Sequence, residues 1–306
     1  MTTTTLLYNN ENITPESIIA FNPSSKGLND AHNKTRENIV GAIINNKIPE
    51  TYYEIQEWLM LEFSIITYLQ ELDRTRTYSR AVCSHKGGRK FNFDFGVKVY
   101  YENGTTTYYN IELKFNAASI DETPQFVSPM KPSQYMSNVY EDYYYDNYLT
   151  QLAMRERGLE LPSRDEYLKQ IHTNNPKCMK QFQDLYYMGC KQSSQYTGDP
   201  AHIKFYESAK NLSHESISTF IEKTELNIES LSEYLLTSQN NKIYMLYSGT
   251  EFIVQRPNMD DYQIISVTKN PSKNRFECVS KSGVKLNVLL RWKNGNGIAF
   301  PAFQIS

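Results

Sequence analysis

The chain has 306 residues, 40% of them hydrophobic and 22% charged, with a formal net charge of −2. That composition is globular and excludes disordered and fibrous classes, and it means that any nucleic-acid binding must depend on where the charges sit. No window approaches the roughly 20 apolar residues of a membrane span, and the start MTTTTLLYNNENITPE carries no basic leader pattern, so a soluble, cytoplasmic protein with no membrane contact is expected.

Residues 1–33, rich in Thr, Asn and Ser, read as an irregular N-terminal arm. An amphipathic pattern from about Lys34 to Asn45 predicts a short helix, and Ile48-Pro49-Glu50 reads as a break with a new start behind it. Residues 51–73 carry the strongest helical signal, with Ile55, Trp58, Leu59, Ile66 and Leu69 on one stripe. Glu62 falls within that stripe. A carboxylate there needs a metal, a lysine or hydrogen-bond donors unless the helix is rolled to leave it at the edge.

From Arg74 to Lys90 there are six Lys/Arg and no acid, and from Lys269 to Lys293 seven Lys/Arg against the single Glu277. Such runs are either solvated faces or electrostatic contacts for an anionic partner.

The stretch FNFDFGVKVYYENGTTTYYNIELKF, residues 91–115, predicts a β-hairpin. Phe91, Phe93, Phe95, Val97 and Val99 share one face of the first strand, as do Ile111, Leu113 and Phe115 in the second. For those faces to coincide, Asp94 must stand opposite Glu112 or Lys114. An odd-length loop with Gly104 in the left-handed region achieves this, whereas a two-residue Asn-Gly turn would set Asp94 against Leu113. Two carboxylates and an ammonium are then gathered on one face. The carboxylates repel unless a divalent cation lies between them, and Mg²⁺ suits one or two carboxylates plus phosphate oxygens. Lys114 is placed to orient or deprotonate an attacking water, or to stabilise a phosphorane-like transition state. The plainer alternative is a cross-strand surface ion pair.

A Pro-punctuated connection at 121–134 leads into helical patterns over about 135–237, including the tyrosine-dense segment from Tyr140 to Tyr148, which either packs into a core, stacks on bases or seals a dimer. After Asn240 short β-rich runs alternate with Gly, Pro and Asn. Cys83, Cys178, Cys190 and Cys278 form no CxxC pair; a zinc set of His172, Cys178, Cys190 and His202 has irregular spacing and is not favoured. The expected class is α/β or α+β, organised as an arm (1–33), a core with the hairpin (34–137), a helical insertion for DNA recognition or dimerisation (138–238) and a β-rich part completing the core or reading DNA (239–306).

Phe93-Asp94 followed, after 17 intervening residues, by Glu112-Leu113-Lys114 resembles the PD-(D/E)xK nuclease superfamily, the fold of many type II restriction endonucleases. Phe93 stands where the motif has proline. The resemblance covers about residues 50–137. It implies a restriction-endonuclease-like core, a mixed central sheet flanked by helices, in which Asp94 and Glu112 hold Mg²⁺ (Mn²⁺ substituting), Lys114 is catalytic and an acid from the preceding helix, Glu62, lies near the metal. It further implies a site-specific hydrolase cutting double-stranded DNA by metal-activated water, acting on palindromic sites as a homodimer. Arg74, Arg76, Arg80, Lys86, Arg89 and Lys90 would lie beside the scissile phosphate, with Gln125, Lys131, Gln134, Asn138, Lys285, Arg291 and Lys293 as possible base readers. The alternatives are a structure-specific repair or recombination nuclease of the same superfamily and an inactive DNA-binding protein.

Overall fold

The computed structural model describes residues 4–22, 26–86, 91–123, 125–126, 132–173, 176–291 and 302–305. The chain forms two compact units, Met1–Thr123 with Thr237–Met259, and Pro124–Leu236 with Asp260–Ser306. This division splits the segment 239–306 expected as one β-rich part.

The first unit does not begin with an irregular arm. β1 (Leu6–Tyr8) and β2 (Glu11–Ile13) pair antiparallel, turned by Asn9 and Asn10 at φ 48° and 63°. Two consecutive positive φ values make the tight turn that asparagine tolerates better than most side chains. Helix α1 (Lys26–Ile44) begins well before the expected Lys34. After a 3₁₀ turn (Glu50–Glu54) comes α2 (Gln56–Glu71), then strands β3 (Tyr78–His85), β4 (Phe95–Tyr101) and β5 (Thr106–Phe115).

The chain next passes through the second unit, with β6 (Gln125–Phe126) and helices α3 (Tyr140–Tyr144), α4 (Thr150–Ala153), α5 (Arg164–Gln170), α6 (Lys180–Gly189), α7 (Pro200–Lys223) and α8 (Ile228–Gln239). It returns to the first unit as β7 (Lys242–Tyr247) and β8 (Phe252–Gln255). The first unit is therefore a mixed five-stranded sheet, ordered β3-β4-β5-β7-β8, whose only parallel pair is β5–β7.

One face of this sheet carries the unit's core. Phe95, Val97, Val99 and Ile111 are fully buried against Ile39, Val40 and Ile43 of α1 and Trp58, Ile65 and Tyr68 of α2. α2 is rolled relative to the expected stripe: Trp58, Leu61, Ile65, Tyr68 and Leu72 face inward, a 3-4-3-4 spacing, while Leu59 and Ile66 are exposed. The polar atoms on this inward face find partners. Trp58 Nε1 donates to the Pro15 carbonyl at 2.8 Å, and Ser64 Oγ accepts from the Phe252 amide of edge strand β8 at 2.7 Å. Leu59, Met60, Phe63 and Ile66 form an exposed apolar stripe on the other side of the helix, Phe63 being 72% exposed.

In the second unit the tyrosine-dense segment is core. Tyr140 and Tyr144 are fully buried, the helix passes through a π turn at Tyr145–Leu149, and the Tyr140 hydroxyl is 2.7 Å from Ser216 Oγ. The unit also holds an antiparallel sheet ordered β6-β12-β11-β10-β9, from β9 (Ile264–Asn270), β10 (Arg275–Ser280), β11 (Lys285–Arg291) and β12 (Ala302–Ile305). Among the described residues no helix is long and apolar enough to cross a membrane.

Trp58 is fully enclosed and its indole nitrogen is bonded, so removing the ring leaves both a cavity and an unpaired carbonyl. Trp58→Ala is expected to cost about 3–5 kcal/mol, read as a lower midpoint in urea unfolding.

Candidate active site

The hairpin register decides where the acids meet. Phe95 pairs with Ile111 and Val99 with Thr107, and the next step of the same ladder sets Asp94 against Glu112. The loop is the odd-length one expected: Tyr101 N–H donates to the Thr105 carbonyl at 3.0 Å, and Gly104 sits at φ 79°. Only a residue without Cβ occupies that conformation at no steric cost.

Asp94 is held from three directions. Its amide donates to the Ile111 carbonyl (3.0 Å), its carbonyl accepts from the Lys86 amide (2.8 Å), and its Oδ2 accepts from the Leu113 amide (2.8 Å). Glu112, Lys114 and Asn110 project from the same face of β5, by the strand's two-residue alternation. Lys114 Nζ lies 2.7 Å from Glu112 Oε1, and Lys242 Nζ, from the parallel neighbour β7, lies 3.7 Å from Glu112 Oε2. Lys242 is only 5% exposed.

A third carboxylate comes from α1. Gly41 lets α1 dock closely, since a Cβ there would stand 2.5 Å from His85 Cε1. One turn earlier the Glu37 carbonyl accepts from His85 Nε2 at 3.1 Å, while the Asn9 amide donates to His85 Nδ1 at 2.8 Å, which fixes a neutral imidazole. Glu37 is thereby set at the Asp94 end of the sheet, because His85 pairs with Phe95.

The charges are out of balance. Burial pushes the Asp94 carboxyl up to about 7, reinforced by the charges of Glu112 and Glu37 and only partly opposed by the Leu113 amide and Lys114. Glu37 is also raised, first by burial and then by Glu112 and Glu11. Burial lowers the Lys242 ammonium, against the pull of Glu112. Among the described residues no three His, Cys, Asp or Glu side chains are gathered closely enough to hold a metal ion as they stand. The donor chemistry nevertheless fits a hard divalent cation: a carboxylate pair stands across the hairpin, and burial first, then the charges of Glu112 and Glu37, disfavour the ionised form of Asp94.

The helical acid near the pair is therefore Glu37 of α1, and Glu62 is corrected to a different place. Glu62 is partly exposed on α2, beside the Tyr53 hydroxyl, which burial first and then Glu62 push up. Glu37 carries no sequence mark of its place, because only the docking of α1 at Gly41 brings its acid to the strand ends.

The basic segment also needs correcting. Arg74 pairs with Glu71, Arg76 pairs with Asp73 at 2.6 Å and stacks over the Tyr101 ring, and Arg80 lies 3.8 Å over the Tyr100 ring. These three sit toward the turn end of the hairpin, since Tyr78 pairs with Tyr101. Within this segment Lys86 alone of the described basic residues is beside Asp94; Arg89 and Lys90 lie outside the described residues.

Of the proposed readers, Gln134, Asn138 and Lys285 are exposed in the second unit, where Gln125 and Arg291 fall on β6 and β11. Lys131 and Lys293 lie outside the described residues. The zinc set is not assembled: His172 bonds Glu141, His202 Nδ1 is 2.8 Å from Thr197 Oγ1, and Cys190 Sγ is 3.3 Å from Gln192 Oε1.

Sequence reasoning also missed Lys98 and Tyr108, a cross-strand pair on the face that bears Glu112. The Tyr108 side chain leans over Gly96 so closely that a Cβ there would meet its hydroxyl at 1.7 Å. Compared with known proteins, the chain matches no protein-family model, no curated sequence and no solved structure.

The folded state retains the Asp94 proton up to about pH 7, whereas an unfolded aspartate releases it near about 3.9. Between those values the folded state binds more protons, so metal-free stability falls as pH rises through the window. In EDTA the melting temperature is expected to drop from about pH 5 to about pH 8, and Asp94→Asn to flatten that slope, leaving the part that Glu37 contributes. A slope unchanged by Asp94→Asn refutes the raised Asp94 carboxyl.

Proposed function

We propose that the chain is a Mg²⁺-dependent, sequence-specific double-stranded DNA endonuclease of restriction type, with Asp94, Glu112 and Lys114 at the cut. The observation that carries this reading is the hairpin register, which opposes two acids and sets a lysine beside one of them at the end of a buried ladder. A solvated surface ion pair accounts for Lys114 and Glu112 taken alone. It does not account for Asp94, buried and tied to the Leu113 amide, or for a third acid, Glu37, whose charge bears on the pair.

Mg²⁺ would be held by Asp94 and Glu112, with Glu37 near, and would supply Lewis-acid polarisation of the phosphate and a lower pKa for water. The residues do the positioning. Asp94 is fixed by its three hydrogen bonds, so its second oxygen keeps one direction. Lys114 brings an ammonium next to Glu112, where it orients the attacking water and offsets charge growing on the phosphoryl oxygens as the new P–O bond forms and the old one breaks. Lys242 braces the other Glu112 oxygen from the parallel strand. Lys86, whose amide bonds the Asp94 carbonyl, offers a cation for a flanking phosphate.

Purified protein incubated with phage and plasmid DNA is expected to give discrete fragments in Mg²⁺ and none in EDTA. Asp94→Ala or Glu112→Ala is expected to abolish cleavage with DNA binding retained; normal cutting by either variant refutes the site. Glu37→Gln is expected to slow cleavage and raise the Mg²⁺ requirement, while Glu62→Gln leaves both unchanged. Cutting of branched but not linear DNA points to a repair nuclease, and binding without any cutting to an inactive relative.

Cutting both strands of a symmetric sequence calls for two copies of the site. The surface we assign to that pairing is the exposed stripe Leu59, Met60, Phe63 and Ile66 of α2, since contiguous exposed apolar faces mark association sites. Sedimentation is expected to show a dimer that Phe63→Asp converts to monomer; an unchanged species overturns the assignment.

A further inference from the structure

Helices α1 and α2 pack on one face of the first sheet, and the strand register lays out what stands on the other. Counted from the carboxylates toward the hairpin turn, Lys86 is opposite Asp94, its amide donating to the Asp94 carbonyl at 2.8 Å; Ser84 then pairs with Gly96, Val82 with Lys98, and Arg80 with Tyr100. Residues two apart share a face, so these four rows lie on the face that bears Asp94 and Glu112, at steps of about 7 Å. On β5 the Lys98 row continues into Tyr108. Arg80, Lys98 and Tyr108 are all exposed, Tyr108 to 54%.

The side chains on this face hold one another in place. Arg80 Cζ stands 3.8 Å from the centre of the Tyr100 ring and Lys98 Nζ 5.0 Å from it, so one ring steadies two cations. Gly96 leaves its row without a side chain of its own, and Tyr108 and Lys86 lean into the space: a Cβ there would meet the Tyr108 hydroxyl at 1.7 Å and Lys86 Cε at 3.2 Å. Beyond the Asp94 row these three strands carry no acid on this face until Glu102 in the turn. In the same basic run Arg74 and Arg76 are neutralised by Glu71 and Asp73, whereas among the described residues no ion pair engages Arg80, Lys86 or Lys98. Exposed cations in a line with no acid between them select a polyanion.

We propose that this strip is the track for the DNA that flanks the cut, with Lys86, Lys98 and Arg80 on phosphates of one flank and the Tyr108 hydroxyl as a further donor to the backbone. The proposal rests on the nuclease reading and gives the substrate a direction, from the carboxylates toward the hairpin turn. The Asp94 row and the Arg80 row are six residues apart, about 20 Å, which is the rise of about six base pairs at about 3.4 Å each. Contacts of this class position a duplex without reading its sequence.

The test uses the full chain in EDTA, where nothing is cut, with fluorescence anisotropy of a labelled DNA duplex measured over a range of salt. Arg80→Gln combined with Lys98→Gln, both at exposed positions, is expected to weaken binding about tenfold with an unchanged melting temperature, and to flatten the slope of log affinity against log salt by about two, one for each phosphate contact removed. Lys47→Gln, an exposed lysine just after α1 on the helix-covered side, is expected to change neither. An equal loss with Lys47→Gln reduces the effect to net charge and overturns the strip. Trimming the duplex to fewer than about six base pairs beyond the cut is expected to weaken the native protein and not the double variant; native protein indifferent to trimming overturns the track. A double variant of unchanged affinity and slope, in protein that cuts DNA normally with Mg²⁺, overturns the strip and leaves the nuclease standing. The expected losses in protein that cuts no DNA keep the strip and remove the nuclease reading. Heparin bound as tightly as the duplex, with the same losses, overturns the assignment to DNA.

Discussion

The parity of the β4–β5 hairpin is the constraint on which the rest depends. Side chains alternate along a strand, so a slip of one residue would turn Phe95, Val97, Val99 and Ile111 out of the core. The same register that buries those four opposes Asp94 and Glu112, and the hydrophobic core thereby enforces a like-charge approach that neither acid would choose. Each device around the pair mitigates that repulsion: the Leu113 amide on Asp94, Lys114 on one oxygen of Glu112, and Lys242 near the other. Burial, with what they leave uncompensated added to it, holds the Asp94 carboxyl up. The folding energy of the sheet has already brought the anions together.

The hairpin was legible in the sequence because everything that determines it is local. Two apolar alternations, a glycine in the loop and the demand that both faces coincide are enough to fix which residues meet. Glu37 and Lys242 were not legible, because each arrives through tertiary packing: one by the approach of α1 over Gly41, the other by parallel pairing with a strand from the far side of the second unit. Neither event leaves a short-range signature.

The misreading of α2 has a definite physical origin. Trp58 and Leu69 do face inward, but Leu61, Ile65 and Tyr68 complete that row, with the Tyr68 hydroxyl 3.4 Å from the Tyr244 carbonyl. Leu59 and Ile66 read as core only because hydrophobicity does not reveal whether an apolar face turns toward its own chain. The run from Arg74 to Lys90 was treated as a single charge patch for a similar reason. Strand β3 extends it over eight residues, about 26 Å, so its two ends serve different places.

The order in which the chain supplies its first sheet carries a consequence for synthesis. β5 is made with its parallel neighbour still missing, and the residues of the second unit up to Leu236 intervene before β7 follows. Until then Glu112 has one lysine rather than two, β5 has an unpaired edge, and closing the sheet requires a contact of very long sequence separation, which is slow to form. A ribosome-bound fragment ending before Lys242 therefore holds Asp94, Glu112 and Lys114 in sequence but lacks the strand that completes their surroundings. Full assembly of the site waits on the last third of the polypeptide.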